Sequence, residues 1–144
     1  MRTWAAPPRF LAILTTCTKI GTFALAAGRS SQGPRLGCAF YRTEGGHEPV
    51  REWLRSLGKE VSKTVGSDIL TVQWSWPVSK PLVDGLGGGL YEIRSAHDRK
   101  EYRVFFCIAQ SKLVLLHGIV KKTRTTRSAD LELARKRLRE VVAP

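Results

Sequence analysis

The chain contains 144 residues, and its 24 Lys and Arg against 12 Asp and Glu give a formal net charge of +12. This length suits one domain with its own hydrophobic core. The charge favours a polyanionic partner such as nucleic acid, an anionic membrane surface or an acidic protein, and it says nothing about the fold. The segment from Arg94 to Arg139 holds thirteen Lys and Arg but only four acidic residues. This concentration favours a nucleic-acid or phosphate-binding role over a merely solvated basic surface.

The first 36 residues contain no acidic side chain and include an apolar stretch from Phe10 to Ala27. Lys19 and several threonines interrupt that stretch, which argues against a membrane span. A basic start and small residues resemble an export signal, but the Pro7-Pro8 pair is poor material for a continuous helix. We predict that residues 1–36 are a poorly structured extension, and we favour sequence upstream of the true translation start over an export signal. Residues 37–144 are predicted to form the folded domain, with a cytoplasmic location.

In chain order, the folded part is predicted to contain one strand, two helices, three strands and a final helix. The first strand covers residues 38–43, and apolar residues at helical spacing place helices at about 49–57 and 59–73. Residues 90–95, 102–109 and 113–120 have the composition of strands on short turns, and the glycine-rich segment before them is predicted to be a turn. The last helix begins near Ser128, its predicted N-cap. The fold class is therefore α+β, with an antiparallel sheet against two N-terminal helices and a C-terminal helix.

The three cysteines, Cys17, Cys38 and Cys107, have no metal-binding spacing. Cys107 lies in an apolar run, where a free thiol behaves as a small hydrophobic side chain. We predict that the cysteines are reduced, as in a cytosolic protein.

The three later strands can present fixed cations from one sheet. If the second hairpin turns at residues 110–111, Ala109 pairs with Lys112 and Arg103 lies opposite Gly118, which would leave room for a guanidinium or a ligand. Arg94 belongs to the preceding strand, and Lys121-Lys122 end the following one. Such an array suits a phosphodiester, whose charge increases during strand cleavage.

Motifs for metal-dependent hydrolysis, a nucleophilic serine or a P-loop are missing from the sequence, so we predict no metal and no cofactor. RNA cleavage by the ribose 2′-hydroxyl needs only orientation, proton transfer and charge stabilisation. Each assignment has a structural alternative. Arg94 and Arg103 could be sheet cations with no functional role, Lys121-Lys122 a solvated strand end, and His117 a core histidine beside Leu115 and Ile119.

Four segments, "FYRTEGGHEPVREWLRSL", "VQWSWPVSKPLVDGLGGGLYEIRS", "YRVFFCI" and "LVLLHGIVKKTRTT…DLELARKR", resemble the phage-related HigB branch of the RelE toxins. The resemblance covers residues 38 to about 142. It implies the toxin of a type II toxin–antitoxin system, a metal-independent endoribonuclease that cuts messenger RNA on the ribosome and inhibits translation. It also implies neutralisation by a small helix-turn-helix, HigA-like antitoxin and no membrane partner.

The resemblance assigns the catalytic arginine to Arg103, a basic residue after the last strand to Lys121 or Lys122, and the cation of the earlier strand to Arg94. Some relatives carry a tyrosine in or before the final helix; this chain has none there, so His117 becomes the substitute for proton transfer. Four further cations are predicted to bind RNA: Arg99, Lys100, Arg124 and Arg127. The alternative function is a non-catalytic basic RNA- or ribosome-binding module, a degenerate toxin that has kept the fold.

Overall fold

The structure, a computed structural model, describes residues 33–122 and 124–143. The prediction for residues 1–36 lies almost wholly outside these ranges. The elements are β1 (Gly37–Phe40), α1 (Pro49–Ser56), α2 (Lys59–Ser75), β2 (Val83–Gly87), β3 (Leu90–His97), β4 (Lys100–Ala109), β5 (Lys112–Lys121) and α3 (Ser128–Val142). The predicted α+β class is confirmed.

The strands form one five-stranded sheet in the order β1-β5-β4-β3-β2. The four later strands are antiparallel neighbours, as predicted for β3, β4 and β5, whereas β1 pairs with β5 in parallel. The sheet is therefore mixed. The chain passes through both N-terminal helices between β1 and the rest of the sheet, which is the kind of long connection that a parallel pairing requires.

The strand β2 is absent from the sequence-based prediction, because its sequence, Val-Asp-Gly-Leu-Gly, looks like a turn. It pairs with β3 at the sheet edge, with a register irregularity between Gly85 and Gly87. Glycine weakens a strand interior and is common at bulges. Pairing with β3 at the edge of the sheet outweighs the preference of this glycine-rich sequence for a turn.

The sheet buries a core on each face. On one face, α1 and α2 pack their predicted apolar stripes, including Val50, Leu54, Val65 and Ile69, onto the strands. On the other face, α3 packs Ala134, Leu138 and Val141. Because one helix covers the second face and two cover the first, part of the second face is left to polar side chains.

The β4–β5 hairpin departs from the predicted register. Ala109 pairs with Lys112 as expected, but a bulge between Phe105 and Phe106 shifts the remaining pairs by one residue. Arg103 is therefore opposite Ile119, not Gly118, and the predicted pairing is wrong beyond the bulge.

Gly118 does not make room for a guanidinium or a ligand. A Cβ atom on Gly118 would lie 2.3 Å from Cε3 of Trp53, a distance at which something must shift. Gly118 is opposite Val104, on the face covered by α1 and α2. Its missing side chain therefore accommodates an indole ring.

Two smaller predictions also need correction. The N-cap of α3 is Arg127, with Ser128 the first helical residue, and no side chain caps this end by a hydrogen bond. Cys107 is a free, buried thiol as predicted, but Cys38 is disulfide-bonded.

The folded part includes Leu36, which is buried and whose N–H donates to the Gln73 carbonyl at 3.1 Å. Within the described residues, no helix combines the length and the apolar character needed to cross a bilayer.

Candidate functional site

Three of the predicted cations, Arg94, Arg103 and Lys121, lie on the sheet face that α3 covers only in part. Directly opposite residues of antiparallel strands point to the same face, so the register places them in rows. One row contains Arg94, Arg103 and Ile119, and the next row toward the β3–β4 turn contains Glu101 and Lys121. We call this polar region the charged face; it comprises Asp84, Glu92, Arg94, Glu101, Arg103 and Lys121.

Arg103 is the most enclosed cation of the charged face. Its side chain is only 7% exposed, and it shares its face with the buried Phe105 and Cys107, as predicted. Its Nη2 donates to Oε2 of Glu101 at 2.9 Å. Its Nε lies 3.8 Å from Oε1 of Glu92, too far for a hydrogen bond, and this buried N–H has no hydrogen-bond partner. The guanidinium thus keeps unused donor capacity, although burying a polar group without a partner is costly.

Arg94 lies directly opposite Arg103 and is held by two carboxylates. Its Nε donates to Oε1 of Glu92 at 2.9 Å, and its Nη2 donates to Oδ2 of Asp84. Glu92 is almost fully buried, and it is close to both arginines. Two neighbouring guanidinium groups can be held on adjacent strands because this carboxylate offsets their repulsion.

Lys121 completes the array at the end of β5. Its Nζ lies 3.7 Å from Oε2 of Glu101, and its side chain is 17% exposed. Glu101 therefore contacts both Arg103 and Lys121. The prediction that three strands present these cations from one sheet agrees with the structure, and the observed register adds that Arg94, Arg103 and Lys121 share one face. The pairing of these cations with Asp84, Glu92 and Glu101 is a feature that the sequence does not predict.

His117 lies on the same face, opposite Phe105, and is neither a plain core residue nor a free one. Its ring stacks on Phe105 with 6.0 Å between the ring centroids. Its Nε2 is 2.9 Å from Oδ1 of Asp130, and Nη1 of Arg137 is 3.4 Å from its Nδ1. Because a guanidinium can only donate, Nδ1 accepts from Arg137 and the Nε2–H donates to Asp130.

Arg137 also holds the bulge in place. Its Nη1 donates to the carbonyl of Leu116 at 2.8 Å, and its guanidinium stacks over the ring of Tyr41. The Tyr41 hydroxyl in turn donates to Glu140. Burial lowers the pKa of Arg137, while Tyr41 and Glu140 act in the opposite direction. This arginine of α3 is therefore a structural residue that orients the backbone beside His117.

An open pocket of about 370 Å³ adjoins the charged face between the end of β5 and the start of α3. His117, Lys121, Lys122, Arg127 and Asp130 line it, together with Thr125 and Thr126. A concave surface that combines cations with an Asp–His pair is suited to a ligand that carries both negative charge and exchangeable protons.

The remaining predicted cations are exposed around this site. Lys122, Arg124 and Arg127 follow β5. Arg99 lies in the β3–β4 turn, where Asp98 and Arg99 have positive φ, and Lys100 begins β4. The pairing of Glu101 with Lys121 brings that turn and the end of β5 to the same end of the sheet. We call these five cations the exposed rim. They supply positive charge, whereas the cations and carboxylates of the charged face balance each other.

Sequence reasoning missed the carboxylates of the site: Asp84, Glu92, Glu101 and Asp130. Glu92 and Glu101 each lie two residues from a predicted catalytic arginine, so strand parity could have placed them on the same face. Asp130 could be found only from the tertiary fold. Across the described ranges, no group of three His, Cys, Asp or Glu side chains is arranged to hold a metal ion.

The fold is a small α+β domain. Its candidate site is a pocket at one end of the sheet, lined by cations and by the pair of His117 and Asp130. Residues 52–139 match the family described as "Phage derived protein Gp49-like (DUF891)". This match covers more than half of the chain, and the chain belongs to that family. It is a phage-derived, toxin-like family of the toxin–antitoxin type. The comparison with curated proteins found no match.

Proposed function

We propose that this chain is the toxin of a type II toxin–antitoxin module, of the HigB branch of RelE toxins, and that it is a metal-independent endoribonuclease acting on translated messenger RNA. The observation that carries the proposal is the position of Arg103. It is a buried arginine in a row with Arg94, it shares the carboxylate of Glu101 with Lys121, and it lies opposite Ile119, which lines the pocket together with Lys121 and His117.

The reaction requires little of the protein. The ribose 2′-hydroxyl attacks the adjacent phosphorus, the bond to the 5′-oxygen of the next nucleotide breaks, and a 2′,3′-cyclic phosphate forms. One proton leaves the 2′-oxygen and one is delivered to the departing 5′-oxygen. Negative charge increases on the phosphoryl oxygens, and preorganised cations stabilise it most effectively in an enclosed site.

The named residues have distinct proposed roles. Arg103 and Lys121 contact the scissile phosphate, and Arg94 fixes Glu92 and hence the position of Arg103. His117, oriented by Asp130 at Nε2, moves a proton at Nδ1, where the substrate replaces the long 3.4 Å contact with Arg137. The exposed rim binds the flanking phosphates. A helix-turn-helix antitoxin would neutralise the toxin by presenting acidic residues to this surface, and a cytoplasmic location follows from the ribosomal substrate.

The decisive experiment compares Arg103→Ala with Arg55→Ala. Arg55 is exposed on α1, on the opposite face of the sheet, so the two variants have the same net charge. Induction in a bacterial host should arrest growth with the wild type and Arg55→Ala but not with Arg103→Ala. We expect Arg103→Ala to lower the cleavage rate about a hundredfold or more, as when one transition-state donor is removed.

Thermal unfolding must accompany this comparison, because Arg103 is buried. Arg94 still pairs with Glu92 in Arg103→Ala, and Glu101 is exposed, so no buried carboxylate is left without a cation. We therefore expect a folded variant. Cleavage should leave a 2′,3′-cyclic or 3′-phosphate and a 5′-hydroxyl, with or without EDTA. Products with 5′-phosphates would contradict the mechanism.

The second candidate is the non-catalytic RNA- or ribosome-binding module. The observation in its favour is the pairing of Arg94, Arg103 and Lys121 with carboxylates, which leaves the excess positive charge to the exposed rim. It predicts ribosome binding and growth inhibition without cleaved messages, and equal inhibition by wild type and Arg103→Ala.

A further inference from the structure

Glu101 holds the two cations that the proposed reaction needs. Its Oε2 accepts from Nη2 of Arg103 at 2.9 Å and lies 3.7 Å from Nζ of Lys121. The register also fixes it between them, since it is directly opposite Lys121 and two residues before Arg103 on the same strand. A single carboxylate oxygen thus bridges a guanidinium and an ammonium group.

The three carboxylates of the charged face differ in freedom. The side chain of Glu92 is 6% exposed and that of Asp84 is 20% exposed, whereas the side chain of Glu101 is 54% exposed. Glu92 and Asp84 are also tied to Arg94. Rotation of Glu101 into solvent would cost little, because water and salt screen an ion pair at the surface and leave it with a small net stabilisation. Glu101 is therefore the movable carboxylate of the charged face.

Carboxylate and phosphate oxygens use the same donors. Both accept charge-assisted hydrogen bonds from guanidinium and ammonium groups at similar distances. A phosphodiester oxygen that contacts both Nη2 of Arg103 and Nζ of Lys121 must take the place that Oε2 of Glu101 now fills. The negative charge of Glu101, if it stayed, would also repel the phosphate.

We propose that Glu101 is an internal competitor of the phosphodiester: its carboxylate occupies the anion site formed by Arg103 and Lys121, and RNA binds there by displacing it. The proposal rests on the proposed function for the identity of the anion. It explains why the site cations are neutralised in the free protein. Weak anions are then excluded, while an RNA that also engages the exposed rim can displace Glu101.

The test measures binding without cleavage. The probes are inorganic sulfate and a short single-stranded oligoribonucleotide whose 2′-hydroxyls are methylated, at constant ionic strength, with the full chain. Glu101→Gln should tighten binding of both probes by up to about fivefold, since the competing ion pair is exposed and worth about 1 kcal/mol or less, and 1 kcal/mol corresponds to about fivefold. Glu60→Gln is the matched control, because Glu60 is exposed at the start of α2 on the opposite face and the net charge changes equally.

A second variant pair checks the location of the effect. In a Lys121→Met background, Glu101→Gln should gain clearly less affinity than in the wild type, because half of the anion site is gone. Equal affinities of Glu101→Gln and Glu60→Gln, or weaker binding by Glu101→Gln, would overturn the proposal. Because no step requires catalysis, tighter binding by a chain that never cleaves RNA would support the competitor role while refuting the nuclease.

Discussion

Trp53 and Gly118 are in direct contact across the interface between α1 and the sheet, and the indole fills the space that a side chain at position 118 would need. This contact accounts for a glycine inside an otherwise apolar strand. It also gives the two faces of β5 different roles. Gly118 accommodates α1 on one face, while its neighbours His117 and Ile119 point to the charged face.

Gly118→Ala should destabilise the protein by about 1–3 kcal/mol, as overpacking of a core does, and should lower the unfolding midpoint accordingly. The cost arises from Trp53, so it should largely disappear in a Trp53→Ala background, and a double-mutant cycle measures this coupling. Gly85→Ala is a control, because a Cβ there would meet only Tyr91 at ordinary contact distance. An unchanged midpoint for Gly118→Ala would show that α1 moves away from the sheet at little cost, and it would contradict this prediction.

Lys121 and Lys122 differ in their surroundings and should differ in function. Lys121 is mostly buried against Glu101, whereas Lys122 is exposed. Lys121→Met should therefore reduce the cleavage rate strongly at saturating RNA. Lys122→Met should mainly weaken RNA binding and lower the slope of log affinity against log salt by about one. RNA titrations at several salt concentrations and single-turnover rates separate the loss of affinity from the loss of cleavage rate. A loss of rate in Lys122→Met and a loss of affinity alone in Lys121→Met would refute the assignment.

The elements that could be predicted are those with a strong periodicity. The stripes of α1, α2 and α3 and the apolar runs of β4 and β5 follow from spacing alone. The strand β2 could not be predicted, because glycines hide it and only pairing with β3 makes it a strand. The bulge beside Phe105 leaves no sequence signal, and it shifts the partner of Arg103 by one residue.

The site was predictable to a similar extent. Cations could be assigned from strand ends and from the family resemblance, since these depend on local position. The ion pairs of Arg94 with Glu92 and of Arg103 with Glu101 lie within single strands and follow from strand parity. The ion pairs of Arg94 with Asp84 and of Lys121 with Glu101 depend on the registers between strands. The contact between His117 and Asp130 depends on where α3 docks, which no local pattern specifies.

Cys107 should be inert in the native protein. Burial raises the pKa of its thiol from 9.0 to about 12, and the thiolate is the reactive form. Alkylation at about pH 8–9, followed by mass spectrometry of the peptide that contains Cys107, should proceed only at the rate of unfolding. Rapid modification without loss of structure would contradict the burial.

The same shift predicts a pH dependence of stability. The thiol of the unfolded chain ionises near its ordinary pKa of 9.0, while the folded protein keeps the proton up to about pH 12. Stability should therefore fall as the pH rises from about 9 toward about 12, since the unfolded state binds fewer protons there. Cys107→Ala should lose this contribution, and comparison of the two pH profiles isolates it from other groups.

His117 and Asp130 should act as a pair in proton transfer. His117→Gln should slow cleavage about a hundredfold at neutral pH and remove one limb of the pH–rate profile, because an amide cannot exchange a proton. Asp130→Asn retains an acceptor oxygen for the Nε2–H but removes the negative charge beside the ring during proton transfer, so cleavage should slow, although less than in His117→Gln. His97→Gln is the matched control, since His97 is also half-buried and bonds Thr64 on the other face. A purely structural His117 would instead lower the unfolding midpoint and leave single-turnover cleavage almost unchanged, which would transfer proton movement to another group of the pocket.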